Sequence, residues 1–208
     1  MNVLLAGQKY FGSLVLMELY KADGINITCV CSPEKDDKTT SLADTYGLNH
    51  LKSGALNAET MPGGIDLIVA AHSHDFIGER TRLKAKYGGI GYHPSLLPVH
   101  RGRDAIKWTI AMHDKITGGS VYRLSNKVDG GNIIEQEVVF VRKGDTAMDL
   151  WARDLCPLGV KLLKKAVLRY RDEGFIAGRC QDESLATFEP AMSPPPLFKP
   201  DLIMLGNF

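Results

Sequence analysis

The sequence lacks any apolar run approaching the ~20 residues needed to cross a bilayer, which excludes a helical membrane protein and sets the expectation of a soluble one. It also lacks an excess of charge: 25 Lys and Arg against 24 Asp and Glu leave a net charge of +1. Nucleic-acid binding draws on clustered basic side chains that neutralise several phosphates, so no nucleic-acid partner is expected. Cysteine is scarce. Cys29, Cys31, Cys156 and Cys180 are too few for a disulfide scaffold and lack the C-x-x-C spacing of a zinc site. They are expected to be reduced and mostly buried, with Cys29 and Cys31 facing the core from one side of a strand. Missing too is a basic segment before the apolar start Met1 to Gly7, which therefore reads as a first strand and not a secretory signal, with the cytoplasm as the expected location. Neither phosphate-cradling loop is present. Gly7-Gln-Lys-Tyr-Phe-Gly12 does not match G-x-G-x-x-G, and Gly12 precedes Ser13-Leu14 where a P-loop carries Lys and then Ser or Thr. Neither a dinucleotide nor ATP is expected.

What is present is an alternation of short apolar runs and helical patterns. Residues 2–6 and 66–71 read as strands buried on both faces, residues 25–31 and 89–93 as further strands, and residues 10–21 as a helix with Phe11, Leu14, Val15 and Leu19 on one face. Residues 32–40 read as a loop, and helices are expected at 41–46, 78–87 and 104–113. Two β-like runs at 119–124 and 133–141 precede a long helix at 146–171, kinked at Pro157. The tail from Cys180 reads as irregular, with Pro194-Pro195-Pro196 extended. The pattern predicts an α/β domain of 208 residues built on a Rossmann-like, mostly parallel sheet flanked by helices, with ligands beyond the carboxyl ends of its strands. His93 falls at one such end.

The stretch richest in chemistry is Gly91-Tyr-His-Pro-Ser-Leu-Leu-Pro-Val-His-Arg-Gly102, with Val128-Asp-Gly-Gly131 downstream. His93-Pro-Ser-Leu-Leu-Pro98, then Arg101-Gly102, then Asp129-Gly-Gly131 resembles the folate-dependent formyltransferase family. The resemblance extends to Gly7-Gln-Lys-Tyr-Phe-Gly12, Trp108, Gly118-Gly119, Gln181 and Ala186-Thr-Phe-Glu-Pro190, nearly the whole chain. Within that family, the wording Tyr-His-Pro-Ser-Leu-Leu-Pro is closest to the hydrolase domain of 10-formyltetrahydrofolate dehydrogenases. It implies the formyltransferase fold, a catalytic domain over residues 1–180 and a C-terminal extension over 181–208, packed on the domain or trailing from it.

The resemblance assigns catalysis to His93 and Asp129 and places Gly91 where members carry an asparagine. A carboxylate beside an imidazole suits formyl transfer, in which the nucleophile loses a proton while negative charge builds on the carbonyl oxygen. A side-chain amide would stabilise that oxyanion, and losing such a donor typically costs roughly 100- to 1000-fold in rate; a glycine offers only backbone N–H. The resemblance puts the pterin of 10-formyltetrahydrofolate, the expected formyl donor, against His74, Asp75, Phe76 and Ile77 on one side and Lys127 and Val128 on the other, with Gly91 and Leu97 adjoining. Arg101, Arg103 and Ser95 are candidates for binding substrate, although a helix-entry salt bridge is the competing reading of the arginines. His72-x-His74 has the spacing of a zinc pair, but no third ligand is suggested nearby and no metal is expected. The expected reaction is transfer of the formyl group from 10-formyltetrahydrofolate to a small amine. Hydrolysis to formate and tetrahydrofolate is the alternative, and a non-catalytic folate-binding protein stands in another class.

Overall fold

The computed structural model describes residues 1–35, 37–73 and 75–192; His74 and the Pro194–Pro196 cluster lie outside the described residues. The elements follow in the order β1 (Asn2–Gly7), α1 (Lys9–Tyr20), β2 (Asn26–Ser32), α2 (Lys38–Thr45), β3 (His50–Lys52), β4 (Leu67–Ala71), α3 (Glu79–Arg82) and β5 (Gly89–His93). Then come α4 (Ala105–Ala111), β6 (Ile116–Arg123), β7 (Ile133–Phe140), α5 (Ala147–Leu150), a π-turn (Trp151–Leu155) and α6 (Cys156–Glu173). The strands form one sheet in the order β3-β2-β1-β4-β5-β6-β7. β1 to β5 pair in parallel, and β6 and β7 continue as antiparallel neighbours. Chain order reverses across β1 and β4, the crevice where open α/β sheets place ligands.

The two faces of the sheet are covered unequally. On one, Val3, Leu5, Val69, Ile90 and Val121 pack against Phe11, Val15 and Leu19 of α1 and Leu162, Leu163 and Ala166 of α6. On the other, Leu4, Ala6, Cys29, Cys31 and Ile68 meet Leu56, Met61, Ile65, Ile77 and Ala85 from connecting segments. Both strand cysteines thus serve as small apolar side chains of the second core. Tyr92 pins α6 to the first face. Its hydroxyl donates to the Leu155 carbonyl at 2.7 Å, and its ring fits between Gly119 of β6 and Gly159 of α6, where added Cβ atoms would come within 2.5 and 2.6 Å of it.

Four elements differ from the sequence expectation. The helix expected at 78–87 is cut to Glu79–Arg82, because the Lys86 and Tyr87 amides donate to the Ile65 and Asp66 carbonyls and draw the chain back beside β4. The helix expected at 41–46 starts earlier, at Lys38, because the Asp37 side chain caps it by accepting from the Thr39 amide at 2.8 Å. The expected kink takes the form of the π-turn just before Pro157: proline has no N–H to return to the preceding turn, and the wider turn absorbs the missing bond. β3 was not anticipated; three residues are too few for an alternation pattern to register. Among the described residues, no helix is long and apolar enough to cross a membrane.

Because the Tyr92 ring is held on both sides and tethered by its hydroxyl, it cannot move aside for a new methyl group. Gly159→Ala should therefore lower the unfolding free energy by about 1–2 kcal/mol, the overpacking cost exceeding the ~1 kcal/mol gained in helix propensity. Urea denaturation would show this as a lower midpoint; an unchanged or higher midpoint would refute the clamp.

Candidate active site

His93 ends β5. Glycines at 89 and 91 precede it on the same sheet face, and its side chain is 8% exposed. The ring is fixed by its Nε2, which lies 2.6 Å from the His100 carbonyl oxygen. A carbonyl accepts only, so Nε2 carries the proton and Nδ1 is the edge turned elsewhere. Nδ1 faces Asp129, with Oδ2 at 3.6 Å. The structure thus brings together two residues separated by 36 positions (129 − 93) in the chain, at a gap slightly wider than a hydrogen bond.

Asp129 sits in the left-handed region at φ +48°, which aspartate tolerates better than most residues. Two donors hold its carboxylate: the Gly102 amide reaches Oδ2 at 2.8 Å and the Tyr122 hydroxyl reaches Oδ1 at 2.5 Å. Both complement a charged carboxylate. Burial, and then the Asp129 charge, push the Tyr122 phenol well above its ordinary range, so it keeps its proton and donates. The turn that presents Asp129 is tight; a Cβ on Gly131 would lie 1.7 Å from the Arg123 carbonyl oxygen. The close approach that glycine permits here is therefore between strands of the chain itself.

The segment after α6 closes over this turn. The Gln181 side-chain amide donates to the Asp129 and Gly131 carbonyls at 2.7 Å each, and its oxygen accepts from Arg101 Nη2 at 2.7 Å. Arg101 also pairs with Glu183 at 3.0 Å. The Arg101 and Thr187 amides donate to the Thr187 and Pro98 carbonyls, and Trp108 Nε1 donates to the Pro190 carbonyl. His100 is buried between Asp114, 2.8 Å from its Nε2, and Glu189; Glu189 Oε2 lies 3.1 Å from Nδ1 without the alignment of a hydrogen bond. The irregular tail is thus a brace for the loop that anchors His93.

The remaining candidates divide. Ser95 is fully buried and donates to the Val99 carbonyl at 2.5 Å, a bond that shapes the loop. The Arg101 guanidinium bonds to Gln181 and Glu183. Arg103 is exposed. Asp75 ties loops together, accepting from the Gly54 amide at 2.7 Å and from Cys31 Sγ at 3.1 Å. Ile77 lies in the second core, and Leu97 packs against Tyr122 and Ile133. Phe76 and Val128 are apolar and open, 80% and 61% exposed, in segments following β4 and β6. Those two segments are linked through buried Arg82, which donates to the Ile77 carbonyl at 2.5 Å and to Asn126 Oδ1 at 2.6 Å. Gly91 is flanked by ladder partners Ala70 and Tyr122, so its backbone faces the sheet. Among the described residues, no group of three or more His, Cys, Asp or Glu is placed to hold a metal ion. Surface grooves of about 390 and 570 Å³ lie along α2 and α6, and neither is lined by His93 or Asp129. Tyr122 and Arg82 were missed from sequence. Only the strand register sets Tyr122 opposite Gly91, and nothing local marks Arg82.

Comparison with known proteins gives a consistent result. A family model described as formyl transferase matches residues 26–166. The cytosolic 10-formyltetrahydrofolate dehydrogenase of Mus musculus is 32% identical over 206 residues, covering 91% of this chain and 22% of the relative, so the chain spans about a fifth of the length of that protein. Glycinamide ribonucleotide transformylase 1 from Symbiobacterium toebii superposes with a TM-score of 0.74 at 21% identity, over 87% of this chain and 93% of that one. An N-formyltransferase from Helicobacter canadensis, in complex with folinic acid and dTDP-3-aminofucose, also gives 0.74, at 20% identity over 90% and 70% of the two chains. At these identities the two structures show the fold, which is that of formyltransferases.

If Gln181 braces the Asp129 turn, Gln181→Ala leaves two carbonyls and part of the Arg101 guanidinium without partners. Amide hydrogen exchange at Asp129 to Ile133 should accelerate about tenfold, matching roughly 1.4 kcal/mol, while β1 and β4 stay as protected as before. Equal protection at the turn in both proteins would contradict the brace.

Proposed function

The chain belongs to the formyl transferase family, and from that premise we propose that it transfers the formyl group of 10-formyltetrahydrofolate to a small amine. The observation that carries this reading is the His93–Asp129 pair, with one ring nitrogen anchored to the His100 carbonyl and the other presented beside a held carboxylate. As the amine attacks the formyl carbon, Asp129 takes the amine's proton directly or through water. His93, protonated at Nδ1 as well as Nε2, hydrogen-bonds to the oxyanion and passes its Nδ1 proton to the folate nitrogen as the C–N bond breaks; the proton on Asp129 then returns to His93. The donor would lie across the exposed Phe76 and Val128, with the Arg82 link holding the two pocket walls at a fixed separation. Residues 1–180 form the catalytic domain in this reading, and 181–208 the extension.

A small amine is favoured over a phosphorylated acceptor by the N-terminus of α1. Helix N-termini attract phosphate through free amides, but here the Lys9 amide already donates to Asp37 Oδ2 at 2.6 Å. A carboxylate thus occupies that position. Hydrolysis is the second reading. Gly91 favours it, because the site lacks an amide side chain to fix the oxyanion and a water needs less positioning space than an amine.

Incubation with 10-formyltetrahydrofolate, with and without a panel of small amines, followed by mass spectrometry, separates the two. Formylated amine is the expected product; formate released at the same rate with no amine present establishes the hydrolase. His93→Ala and Asp129→Asn should each lower turnover at least about 100-fold, with donor affinity unchanged within about threefold. Native rates in both would end the reading.

A further inference from the structure

Tyr122 is a buried phenol that the transfer chemistry above does not use, yet it makes the shortest contact to its carboxylate. It lies on β6 directly opposite Gly91 in the antiparallel ladder. Its ring packs with Leu97, Ile133 and Leu124, and its hydroxyl donates to Asp129 Oδ1 at 2.5 Å. Gly91 is what leaves the ring this position. A Cβ at residue 91 would lie 3.4 Å from the Tyr122 hydroxyl oxygen, 3.5 Å from its Cε1 and 3.2 Å from Leu124 Cδ2. The contacts to Tyr122 are ordinary packing distances, so it is atoms beyond that Cβ that would compete with the phenol for this space.

We propose that Tyr122 is a positioning residue for Asp129, and that Gly91 and Tyr122 work as one unit. The phenol fixes Oδ1 while the Gly102 amide fixes Oδ2, so the carboxylate cannot rotate about its own axis. One lone pair on each oxygen stays free, and the pair on Oδ2 faces His93 Nδ1. The nucleophile's proton is then received at a set angle, with the imidazole alongside. This rests on the reading that Asp129 accepts that proton.

Tyr122→Phe in the full chain retains the ring and removes only the hydroxyl. It should lower kcat about 10- to 100-fold, as expected for losing a hydrogen bond to a charged group, with the donor KM within about twofold and the thermal midpoint near native. The acid limb of kcat/KM should move to higher pH, because a donor to the charged carboxylate is gone. A purely structural role would lower the thermal midpoint and leave kcat and the pH profile in place, which would overturn the proposal. Gly91→Leu supplies an independent check, since the atoms beyond its Cβ enter the space beside the phenol without removing the hydroxyl. Its effect on kcat should be clearly smaller in the Tyr122→Phe background than alone; additive effects would show that the two residues do not act together. Asp129→Asn, assayed in parallel, separates the layers. An inert Asp129→Asn with a native Tyr122→Phe refutes this inference alone, whereas native activity in Asp129→Asn refutes the reading beneath it.

Discussion

The carboxylate of Asp129 is the point on which the site depends. Three separate elements converge on it: the amide of Gly102 from the loop after β5, the hydroxyl of Tyr122 from β6, and the imidazole of His93 at the end of β5. Its own backbone carbonyl is held by Gln181, from beyond α6. A carboxylate in a nearly dry setting is costly unless donors surround it, and here each oxygen has one. The left-handed backbone at Asp129 and the turn through Gly131 are the local cost of aiming it.

The need for that convergence explains the asymmetry of the fold. The parallel half, β1 to β5, is a packed scaffold that buries aliphatic side chains against α1 and α6 on one face and against connecting segments on the other. The candidate site lies where the parallel half gives way to β6 and β7, because that antiparallel pair carries Tyr122 and the turn bearing Asp129 back beside the end of β5. The tail then bonds to the loop 98–102, which supplies both the anchor for His93 and the amide for Asp129. A segment with almost no regular structure fixes the geometry of the His93–Asp129 pair because its polar groups are spent on these loops.

Much of the fold was legible in the sequence because its strands are short apolar runs closed by glycine and polar residues, and its longest helices carry periodic apolar faces. α1 and the strands β1, β2, β4 and β5 follow that pattern closely. What escaped depends on distant partners. The truncation of α3 comes from bonds to residues preceding β4, and β3 exists only because β2 offers it an edge. The same division holds at the site. His93 and Asp129 stand out because a motif surrounds them, whereas Tyr122 matters through strand register and Arg82 through the two loops it joins. Arg101 and Ser95 carry the residue types that bind substrates, and only their contacts show that the chain itself uses them.

The Gly91–Tyr122 arrangement also bears on how the chemistry divides between acid and base. The phenol stands beside the space that a side chain at 91 would enter, but its proton is committed to Asp129, so it does not offer the oxyanion a direct substitute for an amide. On the proposed reading, charge on the carbonyl oxygen falls mainly to His93 Nδ1. A single charged donor can carry that load if it is rigidly aimed, and the 2.6 Å contact from Nε2 to the His100 carbonyl supplies the aim. The site then gives up one oxyanion donor and gains a carboxylate that cannot turn. That exchange favours nucleophiles that must shed a proton as they attack, and water and a neutral small amine share that property.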